Sequence, residues 1–233
     1  MIVFATFGDT MRYGNALNLI RAEAIRMNLF DLILVNSQNS LDMDWVNEHK
    51  AFILQNPRGF GYWIWKPQIV KQAFEKMNDG DILVYADSGC RLNVEGRKRL
   101  QEYIEMVKEH PSGNLSFELS DDCKEQWWNK GKVLNMFPID KESNQLVGGI
   151  FVIRKCKFTQ DLVNEWQEIC NTYSNIDDTP SAGNDPEFKE HRHDQAVWSV
   201  LRKHRGTLSI KDETYFTDWS KNLDKPIHAL RRK

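Results

Sequence analysis

A chain of 233 residues, 41% hydrophobic and 27% charged, can close one good-sized core, and a single α/β domain is the natural expectation. A formal net charge of −2 argues against a globally basic nucleic-acid surface, and no stretch approaches the ~18 apolar residues of a membrane span. Cys90, Cys123, Cys156 and Cys170 form no CxxC pair and no metal-ligand spacing, so they read as reduced thiols of a cytoplasmic protein. The first ten residues are too short and too poor in cations for a signal peptide.

Ile2–Phe7 is an apolar strand that breaks at Gly8-Asp9, without the GxGxxG fingerprint of dinucleotide folds. Leu17, Ile20, Ala24 and Met27 lie at helical spacing and predict a helix over 15–28; a second strand follows at 31–35. This order predicts right-handed βαβ units and a mostly parallel sheet. Residues 58–67, RGFGYWIWKP, hold two glycines, four large aromatics, an Arg and a Lys. That mixture suits neither a helix interior nor a strand; Pro67 suits the first turn of a helix burying Ile69, Val70, Ala73, Phe74 and Met77. Arg58 and Lys66 are candidate phosphate ligands, and Trp65 offers a flat ring to stack on a ligand. A packed surface loop with aromatic anchors is the alternative.

The next stretch, DILVYADSGC over 81–90, organises the chain. A buried strand, 82–86, stops at Asp87-Ser88-Gly89, and in open α/β sheets ligands bind at such carboxyl ends. Asp87 there can hold a ribose hydroxyl or a metal-bridged diphosphate, or simply shape the turn. A helix with Leu100, Tyr103, Ile104 and Val107 inward ends near His110-Pro111, and 114–117 is a short strand. Residues 118–140 have weak periodicity and read as a loop-and-helix insert. Residues 146–153, LVGGIFVI, read as a strand whose interior Gly148-Gly149 pair admits a ligand or a tight internal contact. Phe158, Leu162, Trp166 and Ile169 mark a helix, 175–186 a loop, and His193-Asp194-Gln195 opens a last amphipathic helix. Asp194 could serve there as an N-cap. An edge strand is expected at 207–210. The tail, 218–233, carries Lys221, Lys225, His228 and Arg231-Arg232-Lys233, suited to closing over phosphates unless it simply frays.

Four of these pieces, in order, resemble the GT-A class of nucleotide-sugar glycosyltransferases, especially small bacterial and viral polysaccharide enzymes. They are the 58–67 run, Tyr85-Ala86-Asp87-Ser88-Gly89, Val147-Gly148-Gly149-Ile150 and His193-Asp194-Gln195. The resemblance implies a GT-A-like (Rossmann-like), mostly parallel sheet with helices on both faces. Within this one domain, about 1–110 would bind the donor, about 111–217 the acceptor, and 218–233 would form a basic tail. Thr6 and Phe7 would hold base and ribose, with Arg58, Trp65, Lys66, Asp87, Ser88, Gly89, His228 and Arg231 on the donor. Gly148, Gly149 and His193 would lie on the acceptor side, with Asp194 catalytic. Gly89 stands where the second Asp of the family's DxD pair would be. Mn²⁺ or Mg²⁺ would then be shared by Asp87 and His228, or replaced by Arg58, Lys66 and Arg231. The implied activity moves a sugar from a nucleoside diphosphate to a glycan acceptor, free or lipid-linked, in capsule, lipopolysaccharide or other polysaccharide biosynthesis. Contact with the inner face of a membrane would be at most peripheral. A sugar nucleotidyltransferase, or an inactive glycan-binding domain of the same fold, is the competing expectation.

Overall fold

The computed structural model describes residues 1–233. In chain order the elements are β1 (Ile2–Phe7), α1 (Thr10–Met27), β2 (Leu32–Asn36), α2 (Met43–Gln55), a short α3 (Gly59–Tyr62), α4 (Trp65–Glu75), β3 (Ile82–Ala86) and β4 (Arg91–Leu92). They continue with α5 (Arg97–Glu109), β5 (Asn114–Glu118), α6 (Glu125–Trp128), α7 (Gly131–Leu134), β6 (Ile150–Arg154), α8 (Lys157–Asn171), α9 (His193–Arg205), β7 (Leu208–Lys211) and β8 (Ile227–His228).

Six strands form one sheet in the order β2-β1-β3-β6-β5-β7, and β4 pairs with β8 separately. Only β6 runs against its neighbours, so the sheet is mostly parallel. Strand side chains alternate between faces. Val3, Ala5 and Phe7 therefore join α2, α4, α8 and α9 on one side, while Phe4, Val84 and Val152 join α1 and α5 on the other. The first side holds a stack of Trp166 on Trp198 (ring centroids 4.2 Å apart), with Phe151 edge-on to both.

Three boundaries differ from the sequence reading. Helix α1 starts at Thr10 because Asp9 caps it, accepting from Met11 N, and a kink at Tyr13 precedes the regular helix. The strand expected over 146–153 begins only at Ile150. Leu146 makes a single bridge to Glu118, and the glycine pair precedes the strand rather than interrupting it. The tail is not frayed, because β8 ties it to β4 and Trp219 stacks on His228 at 3.5 Å.

Because β6 is antiparallel, its first residues, not its last, meet the carboxyl end of β3: Asp87 N donates to Gly149 O at 2.8 Å. That reversal brings the Gly-Gly segment and the start of α9 to the tip of the central strand.

Candidate active site

The tip of β3 carries a charge cluster built from three distant parts of the chain. Lys66 Nζ lies 2.7 Å from Asp194 Oδ2 and 3.4 Å from Asp87 Oδ1, and it donates to Gly148 O at 3.3 Å. Asp194 Oδ2 has no partner other than this ammonium, and the pair is ionic. Tyr85, two residues before Asp87 and on the same strand face, donates its hydroxyl to Asp87 Oδ1 at 2.8 Å. The Lys66 and Asp194 side chains are 2% and 5% exposed, whereas that of Asp87 is 37% exposed. Asp87 is thus the carboxylate that meets solvent.

Burial alone would discharge these groups. Desolvation pushes Lys66 down, but Asp194 and Asp87 outweigh it and leave the ammonium raised above its ordinary value. Desolvation pushes Asp194 up to about 6, opposed by Lys66 and reinforced by Asp87. Burial and then Asp87 hold the Tyr85 phenol well above its usual range, which keeps it a donor.

Lys66 owes its place to the unusual backbone before it. Gly59, Phe60, Gly61, Tyr62 and Trp63 all have positive φ, a left-handed turn that non-glycine residues adopt at a cost. A Cβ on Gly59 would lie 2.5 Å from the Trp63 ring, so that position has no room for a side chain. Trp65 stacks on Phe7 at 3.8 Å and donates Nε1 to Gly59 O, which locks the first turn of α4 over the end of β1. His193, also at positive φ, stacks on Tyr62 at 4.6 Å and bonds Ile176 O through Nδ1. Asp194 does not act as an N-cap: Arg192 occupies that position without a side-chain bond, and the carboxylate turns to Lys66.

The glycine pair is explained by internal packing. A Cβ on Gly148 would lie 2.6 Å from Gln195 Cβ, and one on Gly149 would lie 2.5 Å from Asp87 Oδ2. Gln195 Oε1 accepts from Gly148 N at 3.1 Å, fixing that segment against α9. Gly149→Ala should therefore push the Asp87 carboxylate aside and cost about 1–3 kcal/mol by overpacking, read by urea unfolding. A change under about 0.5 kcal/mol would show that the contact is slack.

Other predicted donor residues are placed less directly. Thr6 is fully buried, and Phe7 lies under Trp65. Ser88 sits against Gly8, whose Cβ would lie 2.9 Å from Ser88 Oγ. Arg58 is not joined to the cluster; it pairs with Glu190 at 2.6 Å and Asp178 at 3.6 Å, and Tyr62 donates to the same Asp178.

No family model matches the chain, and no curated protein matches it by sequence. The solved structure of a glycosyltransferase involved in the glycosylation of the major capsid of PBCV-1 is similar over 97% of this chain and 91% of its own. The TM-score is 0.51 at 10% identity. The chain has a GT-A-type fold. Lower similarity extends to the galactosyltransferase LgtC with donor and acceptor sugar analogs (TM-score 0.49, 9% identity, 97% of this chain and 86% of that one). It extends also to mouse xyloside xylosyltransferase 1 in its apo form (TM-score 0.47, 9% identity, 100% and 93%).

Divalent-ion binding in this GT-A fold was expected at Asp87 and His228. The donor set does not fit it. No three His, Cys, Asp or Glu side chains converge on a common point. Asp87 Oδ1 is already shared by Tyr85 and Lys66, and Gly89 contributes no ligand. His228 is buried under Trp219, and its Nε2 bonds Lys225 O at 3.0 Å, within its own segment. A Cβ on Gly89 would meet Arg231 Cα and Arg232 O at 3.1 Å, so the tail backbone fills the space a second Asp would need.

Sequence reasoning gave no role to Tyr85, to Gln195 or to Glu23, which accepts from Leu92 N and pairs with Arg232. The period-2 pattern could have found Tyr85, since it puts residues 85 and 87 on one face. Gln195 stood in the His-Asp-Gln piece without a role of its own, and nothing local marks Glu23.

Proposed function

We propose that this chain transfers a sugar from a nucleoside-diphosphate sugar to a glycan hydroxyl. The observation carrying this reading is the buried Lys66 ammonium bridging Asp87 and Asp194 at the carboxyl end of the central strand. Lys66 comes from the half assigned to the donor, about 1–110, and Asp194 from the half assigned to the acceptor, about 111–217. Such a bridge fixes two carboxylates beside each other and a cation between them, at the place where transfer through an oxocarbenium-like transition state develops charge.

In the reaction the bond between the anomeric carbon and the diphosphate oxygen breaks, and its electron pair leaves on the diphosphate. The acceptor oxygen bonds the anomeric carbon and loses its proton. Asp87, the exposed carboxylate, orients the ribose or sugar hydroxyls. Asp194 lies on the sugar side: in an inverting course it takes the acceptor proton, and in a retaining course it stabilises the cationic sugar. His193, with Gly148 and Gly149, shapes the acceptor side next to Asp194. The acceptor we assign is a glycan of polysaccharide biosynthesis, capsule or lipopolysaccharide. No helix is long and apolar enough to cross a membrane, and peripheral contact through the basic tail would bring the site to lipid-linked acceptors.

Titration calorimetry with UDP and GDP, each with and without Mn²⁺, tests the donor class. One of them should bind, and addition of the matching sugar nucleotides should raise the thermal midpoint. Failure of both under every condition would favour a binding domain that has lost the donor site. Release of pyrophosphate from a nucleoside triphosphate and a sugar phosphate would instead make the chain a nucleotidyltransferase.

A further inference from the structure

The residues after β8 form a strap held by an ion pair whose carboxylate is buried and whose guanidinium is partly so. After β8, Ala229 N donates to Thr214 O, and Arg232 N donates to Gly89 O at 2.9 Å. The Arg232 guanidinium grips Glu23 of α1 through both carboxylate oxygens, at 2.7 and 2.8 Å, and also donates to Cys90 O. Glu23 is 6% exposed, and its Oε2 accepts from Leu92 N as well. A bidentate pair with its remaining lone pairs satisfied is the geometry that tolerates burial. Arg231, between these anchors and Gly89, has a φ of 55° and an exposed side chain with no hydrogen bond or ion pair.

The Glu23–Arg232 latch lies beyond the apolar contacts that Ile227 and Ala229 of the same segment make with the core. What it does fix is the backbone beside Gly89, the segment that carries the exposed, unpartnered Arg231. We propose that Glu23 and Arg232 are a positioning pair: they hold the strap where a second metal-binding carboxylate would stand, so that Arg231 meets the donor diphosphate and no divalent ion is needed. This rests on the sugar-transfer reading. An arginine supplies paired, permanently charged donors for phosphate oxygens, the charge compensation that a metal otherwise provides.

The test is calorimetry with UDP and GDP in EDTA and in Mn²⁺, beside uridine and guanosine. Wild-type chain should bind one diphosphate in EDTA, with affinity changed less than about threefold by Mn²⁺. Arg231→Gln should weaken that diphosphate about tenfold or more while leaving the matching nucleoside unaffected. Glu23→Gln should do the same, and Glu23→Arg with Arg232→Glu should recover only part of the loss, because Leu92 N and Cys90 O lose their partners. If Glu23→Gln fails to fold, Arg231→Gln still decides, because its exposed side chain makes no hydrogen bond or ion pair in the fold. Binding that appears only with Mn²⁺ overturns the inference and leaves the transfer reading standing. Equal losses for nucleoside and diphosphate overturn it too, since they mark a merely structural latch. If neither diphosphate binds under any condition, the transfer reading itself fails, and this inference with it.

Discussion

Lys66→Met is expected to destabilise the fold by about 3–5 kcal/mol at neutral pH, the usual cost of removing one partner from a buried ion pair. Methionine matches the length of the stem but leaves Asp194, 5% exposed, facing no counter-charge. Asp87 can turn to solvent and Asp194 cannot. With Lys66 gone, the main opposition to the desolvation that already lifts Asp194 is removed, so its carboxyl moves above about 6. The variant should therefore lose least below that value, where Asp194 is protonated and neutral, and most above it. Urea unfolding at pH 5 and pH 7.5 measures the difference. A loss below about 1 kcal/mol at pH 7.5 would show that the ammonium is not what keeps the second carboxylate charged. Sugar transfer should fall with stability, by roughly 10²–10³-fold in the surviving folded fraction, because a preorganised charge has been removed from the site.

Asp194→Asn should lower turnover by about 10²–10⁴-fold while changing the affinity for the nucleoside diphosphate little. The sign of the pH dependence follows from the raised carboxyl. Because the folded state holds the Asp194 proton more tightly than the unfolded chain, its stability contribution is full below about pH 4 and is lost as pH rises through about 6. Activity runs the other way: the ionised form accumulates above about 6, so the wild-type rate should climb through that region. Asn at 194 should flatten both dependences. A pH–rate profile and pH-dependent unfolding on the two proteins check this together. An Asn variant that keeps wild-type turnover would remove Asp194 from the chemistry.

The strands and the tip carboxylate were legible because their signals are local. Ile82–Ala86 is an apolar run ended by Asp-Ser-Gly, and Asp87 falls where such a strand must open to solvent. The inward stripes of α4, α5 and α8 follow from helical spacing alone; those of α4 and α5 are buried as expected, and on α8 Leu162 and Trp166 are buried while Phe158 and Ile169 are partly so. What the local signals could not carry was direction and closure. Nothing in Ile150–Arg154 states that this strand runs antiparallel, yet that reversal delivers Gly149 to Asp87. Reading the glycines as strand interior followed from taking one apolar run as one element; the run spans a crossing segment and a strand. Arg58 looked like a phosphate ligand because its carboxylate partners, Asp178 and Glu190, lie over a hundred residues away. The same distance hid Glu23, whose partner is near the other end of the chain.

The left-handed run from Gly59 to Trp63 has a consequence for the order of folding. Phe60, Tyr62 and Trp63 each oppose that handedness by about 1–2 kcal/mol, so the isolated segment favours other conformers. Only the finished surroundings, with Phe7 beneath Trp65 and His193 against Tyr62, make the turn worth adopting. The helix that presents Lys66 is thus expected to seat only after the central strands pair, which hydrogen exchange of the residue 59–66 amides against those of the strands would read.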